Sequence, residues 1–166
     1  MIGANNDPRL ILRPLASGDG LELRRIHATP EVARWWGPPE DDFPWDDEPG
    51  ATRLTIEADG AIAGMIQFSE QPEPKYRHAG IDLFLDPILH NRGWGEQAVS
   101  RVVRHLIDER GHHRITIDPA AANERAIKTY SRLGFKPVGI LRRHELQADG
   151  EWHDGLLMDL LADELL

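Results

Sequence analysis

Apolar residues fall at positions 98, 99, 102, 103, 106 and 107, the stripe of an amphipathic helix, and Gly111 closes it. The spacing predicts a helix from Gly95 to Arg110. Upstream, from Tyr76 to Leu85, the pattern is that of a strand. Ile81, Leu83 and Leu85 share one face, and Gly80, Asp82 and Phe84 share the other. A Pro-containing bend and a polar turn, His90 to Gly95, join the two elements. Strand, glycine turn and helix in that order make an anion cradle. The first turn of a helix has four N–H groups without internal partners, and its dipole adds about half a positive charge there.

The same reading extends along the chain. Residues 9–14 (RLILRP) form a strand, and Ser17 to Ala28 is a helix with an imperfect apolar face. Pro30 opens a second short helix carrying Val32, Trp35 and Trp36. Gly37 to Gly50 is rich in Pro and acid, has no period, and reads as a loop. Thr52 to Ala58 and Ala61 to Glu70 are strands around an Asp59-Gly60 hairpin turn, and Gly64 marks a bulge or a close backbone approach. Arg114 to Asp118 is a short strand, and Asn123 caps a helix that Gly134 ends. Lys136 to Glu145 and Trp152 to Leu161 form a last pair of strands. The order is β-α-α-β-β-β-α-β-α-β-β, in a single domain spanning residues 1–166.

Composition narrows the chemistry. There is no cysteine, so disulfides and thiolate metal sites are excluded. His112-His113 lacks metal-ligand spacing and reads as a helix-end cap, so no metal is expected. The formal net charge of −9 argues against a nucleic-acid partner and suits a cationic one. The opening residues show no basic-then-apolar leader and no run reaches membrane-span length, which leads us to expect a cytoplasmic protein without a membrane partner. In the acidic loop, Glu40, Asp41, Asp42, Asp46, Asp47 and Glu48 interleave with Phe43 and Trp45. That pattern reads either as a solvated loop or as a cation-binding lid.

The cradle reads Arg92-Gly93-Trp94-Gly95-Glu96-Gln97, and further on come Asn123, Ala126, Tyr130, Gly134 and Phe135. In both segments, and in element order, the chain resembles the GNAT superfamily of acetyl-CoA-dependent N-acetyltransferases. Gln97 stands where that family usually has Gly or Ala. The resemblance implies an α/β (α+β) fold: a mostly antiparallel mixed sheet of about seven strands, flanked by four helices, with strands 4 and 5 splayed. Within the superfamily the chain looks most like aminoglycoside 6'-N-acetyltransferases, through Trp35-Trp36-Gly37, Gly80-Ile81-Asp82 and Asp118-Pro119 followed by Asn123 and Ala126-Ile127.

The resemblance implies acetyl-CoA as co-substrate, held by Asn91 to Gln97 with Phe84, Leu85, Asn123, Ala126 and Tyr130. It implies direct attack of the 6'-amine of an antibiotic on the thioester, with Asp82 as amine contact or base and Tyr130 as proton donor to the thiolate. Asp118, Trp35 and Trp36 would line the acceptor site, and many members of the superfamily are homodimers. The residues also allow blander roles: Asp82 as an ion-pair partner, Asp118 as a strand end, and Tyr130, Trp35 and Trp36 as core. Two other functions stay open. One is acetylation of protein N-termini, as in the ribosomal-protein branch. The other is a non-catalytic module that binds acyl-CoA or an aminoglycoside.

Overall fold

The computed structural model describes residues 9–165. Residues 1–8, which include most of the segment read for a leader, lie outside them. Seven strands form one sheet in the order β1-β2-β3-β4-β5-β7-β6. They are β1 (Leu10–Pro14), β2 (Ala51–Ala58), β3 (Ala61–Gln71), β4 (His78–Leu85), β5 (Arg114–Ile117), β6 (Lys136–Leu146) and β7 (Trp152–Leu161). The helices are α1 (Gly20–His27), α2 (Pro30–Trp36), α3 (Trp94–Arg104) and α4 (Glu124–Arg132). The expected element order is present, with small shifts of boundary. The first helix starts at Gly20 rather than Ser17, because the Asp19 carboxylate turns back to Arg13, Ala16 N–H and Thr55. The helix expected through Arg110 ends as α3 at Arg104 and continues as one wide turn over His105–Glu109.

All neighbouring strands run antiparallel except β4 and β5. Those two are parallel and pair only at Ala79↔Ile115 and Gly80↔Thr116. Beyond Gly80 they part, so Asp82 to Leu85 keep β3 on one edge and have no strand on the other. This is the expected splay.

Alternation along β4 feeds two cores on opposite faces of the sheet. Ile81 and Leu85 join the larger one with Trp94, Val99, Val102, Leu106 and Tyr130. Phe84 joins the smaller one with Leu23, Ile26, Val32, Phe43 and Met65, packed under α1 and α2. Gly64 meets both expectations made for it. The register between β2 and β3 shifts beside it, and a Cβ there would sit 2.1 Å from the carbonyl oxygen of Phe84.

One reading of the sequence needs correction, and one alternative left open there is narrowed. The acidic loop is not a free lid: Phe43 is buried in the smaller core, and Arg24 donates to the carbonyls of Glu40, Asp41 and Phe43. Arg53 ties down Asp46 and Glu48. Nor is His112 a helix-end cap, since it is buried and its Nε2 lies 2.6 Å from Glu70 Oε2.

Candidate active site

The splay opens two clefts, one toward α3 and α4 and one on the opposite face of the sheet. The first begins where β4 ends. Asp86 is buried, accepts from Ile88 N–H and pairs with Arg25 of α1, fixing the short 3₁₀ turn Pro87–Leu89. The chain then needs left-handed backbone at Asn91 (φ 62°) and Gly93 (φ 79°) before α3 begins. Glycine adopts that conformation at little cost, and asparagine tolerates it better than most side chains. The result turns the N-terminus of α3 toward the open edge of β4. The Trp94 indole N–H is buried there with no partner. Across the cleft, Asn123 Oδ1 accepts from Ala126 N–H and so starts α4, whose inner face carries Tyr130.

Of the residues expected to hold the cofactor, Phe84, Leu85, Asn91, Gly93, Trp94, Gly95, Glu96, Asn123, Ala126 and Tyr130 line this first cleft. Trp35 and Trp36 stand at its other wall. The Trp36 ring meets Phe84 edge-on at 5.1 Å, and Arg34 lies over the Trp35 ring. Arg92 and Gln97 are not among the lining residues; Arg92 is exposed and Gln97 half-buried. Arg125 and Arg132 were not singled out in the sequence, yet both border the cleft. Arg125 contacts His90, and Arg132 pairs with Glu96. Single cations on a polar helix face carry no signal by themselves; only the fold brings them beside the glycine turn. A bare strand edge, a helix N-terminus and flanking cations fit a long, phosphate-bearing ligand that carries amides.

The second cleft holds Asp82 and Asp118 with Glu48, Gln67, Ser69, Gly80 and Thr116. The pair therefore faces away from the glycine turn, although Asp82 belongs to the same strand as Phe84 and Leu85. Crowding by the surrounding protein and, next, the Asp118 charge push the Asp82 carboxyl up to about 8. The side chain itself is exposed at the cleft mouth, and solvent there screens part of this effect. Close surroundings short of complete enclosure thus disfavour its charge. Asp118 accepts from His144 Nε2 at 2.9 Å. Glu145 on β6 belongs to the same acidic field. Its carboxyl is raised first by burial and then by Asp118, while His144 and His153 oppose the shift. Glu48, His144 and Glu145 were missed as site residues, because nothing in the spacing of β6 or of the acidic loop announces that they converge.

Tyr130 lies between the two clefts electrostatically. Burial pushes its phenol above the usual range, and the Asp82 charge pushes it further. It is therefore held neutral.

Residues 21–135 match the model of the acetyltransferase (GNAT) family. The chain belongs to that family. GNAT enzymes move the acetyl group of acetyl-CoA to an amine, and the chain is an acetyl-CoA-dependent N-acetyltransferase, for whose CoA moiety the first cleft is the candidate site. Similar proteins include the spermidine N(1)-acetyltransferase of Escherichia coli K12, 23% identical over 93% of this chain and 87% of that protein. The spermidine N-acetyltransferase of Vibrio cholerae, solved with CoA and spermine, has the same fold with a TM-score of 0.81. It is 19% identical, over 95% of this chain and 98% of that one. The ribosomal-protein-S5-alanine acetyltransferase of Vibrio fischeri superposes with a TM-score of 0.82 at 18% identity, over 98% of both chains. Among the described residues no group of His, Cys, Asp or Glu is arranged to hold a metal ion, and no helix is long and apolar enough to cross a membrane.

Proposed function

We propose that this GNAT enzyme acetylates a primary amine of a small, flexible polycation of the polyamine class. The observation that carries the reading is the Asp82–Asp118 pair in a cleft that Glu48 also lines and whose field Glu145 joins. Several carboxylates in one cleft suit a ligand with several ammonium groups, and a net charge of −9 draws such a ligand in. The names of the similar Escherichia coli and Vibrio cholerae enzymes support the same class.

Asp82 takes the proton of the attacking amine. An alkylammonium has a pKa of about 10.4, so an ordinary carboxylate near 3.9 would face an uphill transfer of about 9 kcal/mol. A raised Asp82 carboxyl narrows that gap. The amine nitrogen bonds the thioester carbonyl carbon, the carbon–sulfur bond breaks and the nitrogen gives up its second proton; of the two protons lost between ammonium and amide, one ends on the sulfur and the other passes to solvent. A thiol of the cysteine kind titrates near 8.5, close to Asp82. Tyr130 would be a weak net donor to such a thiolate, since its phenol is raised. Its role is that of a neutral hydrogen-bond donor to the sulfur from the wall of the first cleft. Asp118 and Glu145 hold further ammonium groups. Trp35 and Trp36 wall the passage beside Phe84.

A second reading is acetylation of an aminoglycoside 6'-amine, which the Trp35-Trp36-Gly37 and Gly80-Ile81-Asp82 motifs favour and which the same carboxylates would serve. One experiment separates the classes. Purified protein and acetyl-CoA are incubated with spermidine, spermine, a kanamycin-type aminoglycoside or an alanine-terminated peptide, and free thiol is measured. Highest kcat/KM with spermidine or spermine is expected. Preference for the aminoglycoside or the peptide would replace the polyamine reading.

A further inference from the structure

Beside the two carboxylates the edge strand β6 does something that an ordinary hairpin does not require. Its register with β7 shifts between Leu141, opposite Gly155, and Glu145, opposite His153. Arg142, Arg143 and His144 thus stand against the single residue Asp154. Arg143 takes left-handed backbone (φ 48°), costly for a residue with a side chain, and Asp154 Oδ1 accepts from its N–H at 2.8 Å. His144 then lies against Gly155. A Cβ at Gly155 would sit 3.1 Å from His144 Cδ2, so the missing side chain is the ring's seat. From there Nε2 reaches Asp118 Oδ2, leaving Oδ1 for a ligand.

We propose that His144 is the positioning residue of the acceptor site: the β6 bulge delivers its ring to Asp118 and fixes the carboxylate that receives a distal ammonium of the substrate. Stability does not account for the arrangement. The contact is about half exposed on both sides, and pairs of that kind contribute little to folding. Bulges, by contrast, re-aim side chains beside active sites. Asp118 follows the four-residue strand β5 and precedes Pro119, outside the strand pairing, and His144 is the side chain that holds its carboxylate. Holding it in one orientation lowers the ordering cost of binding. Asp82, which meets the reacting amine, is untouched by His144. The effect therefore falls on acceptor affinity and leaves turnover at saturation.

The inference rests on the assignment of Asp118 to the acceptor. Its test is steady-state kinetics of the full chain with saturating acetyl-CoA and varied spermidine. His144→Ala is expected to raise the spermidine KM about three- to tenfold with kcat within about twofold. His144→Gln, whose amide can donate in place of Nε2, restores the KM. Gly155→Ala, which crowds the ring, raises it as His144→Ala does and serves if that variant folds poorly. Once Asp118→Asn is present, His144→Ala adds nothing. If Asp118→Asn raises the KM and neither His144→Ala nor Gly155→Ala does, the positioning role is wrong and the acceptor site stands. If Asp118→Asn leaves the KM unchanged, or spermidine is not acetylated at all, the acceptor assignment fails and the inference with it.

Discussion

Gly64 and Phe84 touch through their backbones across β3 and β4: a Cβ added to Gly64 would stand 2.1 Å from the Phe84 carbonyl oxygen and 2.9 Å from the Leu85 Cα. Backbone cannot yield as a side-chain tip can. Gly64→Ala should therefore push β4 away where it borders the first cleft, costing about 2–4 kcal/mol. The melting midpoint is expected to drop by roughly 10 °C, with acetyl-CoA binding weakened. A variant that melts like the parent would show that the two strands separate without penalty.

Asp82 and Asp118 predict a pH profile. A carboxyl raised to about 8 is protonated below that pH and cannot accept the amine proton. The kcat/KM should rise with pH and level off above about 8. Removing the Asp118 charge removes one cause of the shift, so Asp118→Asn should move the rise to lower pH even though binding weakens. Asp82→Asn should cost about a hundredfold or more in rate and flatten the limb. A wild-type limb that Asp82→Asn leaves in place would assign the titration to another group.

Much of this was visible in the residues, because the features involved are local. The helix stripe at 98–107, the Asn123 cap and the Asp59-Gly60 turn each reside in a few consecutive positions, and α3, α4 and the β2–β3 hairpin follow from them. Asp82 could be singled out because a lone acid interrupts an apolar strand. What stayed hidden depends on distance in sequence. His144 meets Asp118 across 26 residues, and His112 meets Glu70 across 42. The acidic loop allowed a solvated segment or a lid, and its composition gave no sign that the Phe43 ring is buried in the smaller core.

His27 predicts a stability change on the acid side. Its ring is buried against Trp36, Phe43 and Phe84, and neither ring nitrogen has a hydrogen-bond partner. The Gly37 carbonyl favours the charged form, but burial outweighs it and holds the ring's pKa below the usual value. The unfolded chain then takes up this proton first, near pH 6.5, and stability is lost as pH falls below about that value. Melting midpoints at about pH 7.5 and about pH 5 should differ less in His27→Leu than in the parent. Equal differences would mean that the ring is already protonated in the fold.

Asp86 joins three pieces of structure: the end of β4, α1 through Arg25, and the turn before the anion cradle. Asp86→Ala removes a cap worth about 1 kcal/mol and a charged hydrogen bond worth about as much again. The expected signature is a raised KM for acetyl-CoA with the amine KM little changed. A change confined to the amine KM would place the residue's influence on the other cleft.

The unequal size of the two cores has a consequence for how the molecule opens. The larger one ties β1 through β5, β7, α3 and α4 together, whereas the smaller has, among the described residues, six buried apolar ones under α1 and α2. Regions with few buried apolar contacts open locally at free energies well below that of global unfolding. Amide protons of α1 and α2 should thus exchange with solvent ahead of those in β3 and α3. Trp35 and Trp36 border the first cleft and ride on the part that opens first, so that wall of the cleft can yield while α3 and α4 opposite it stay packed.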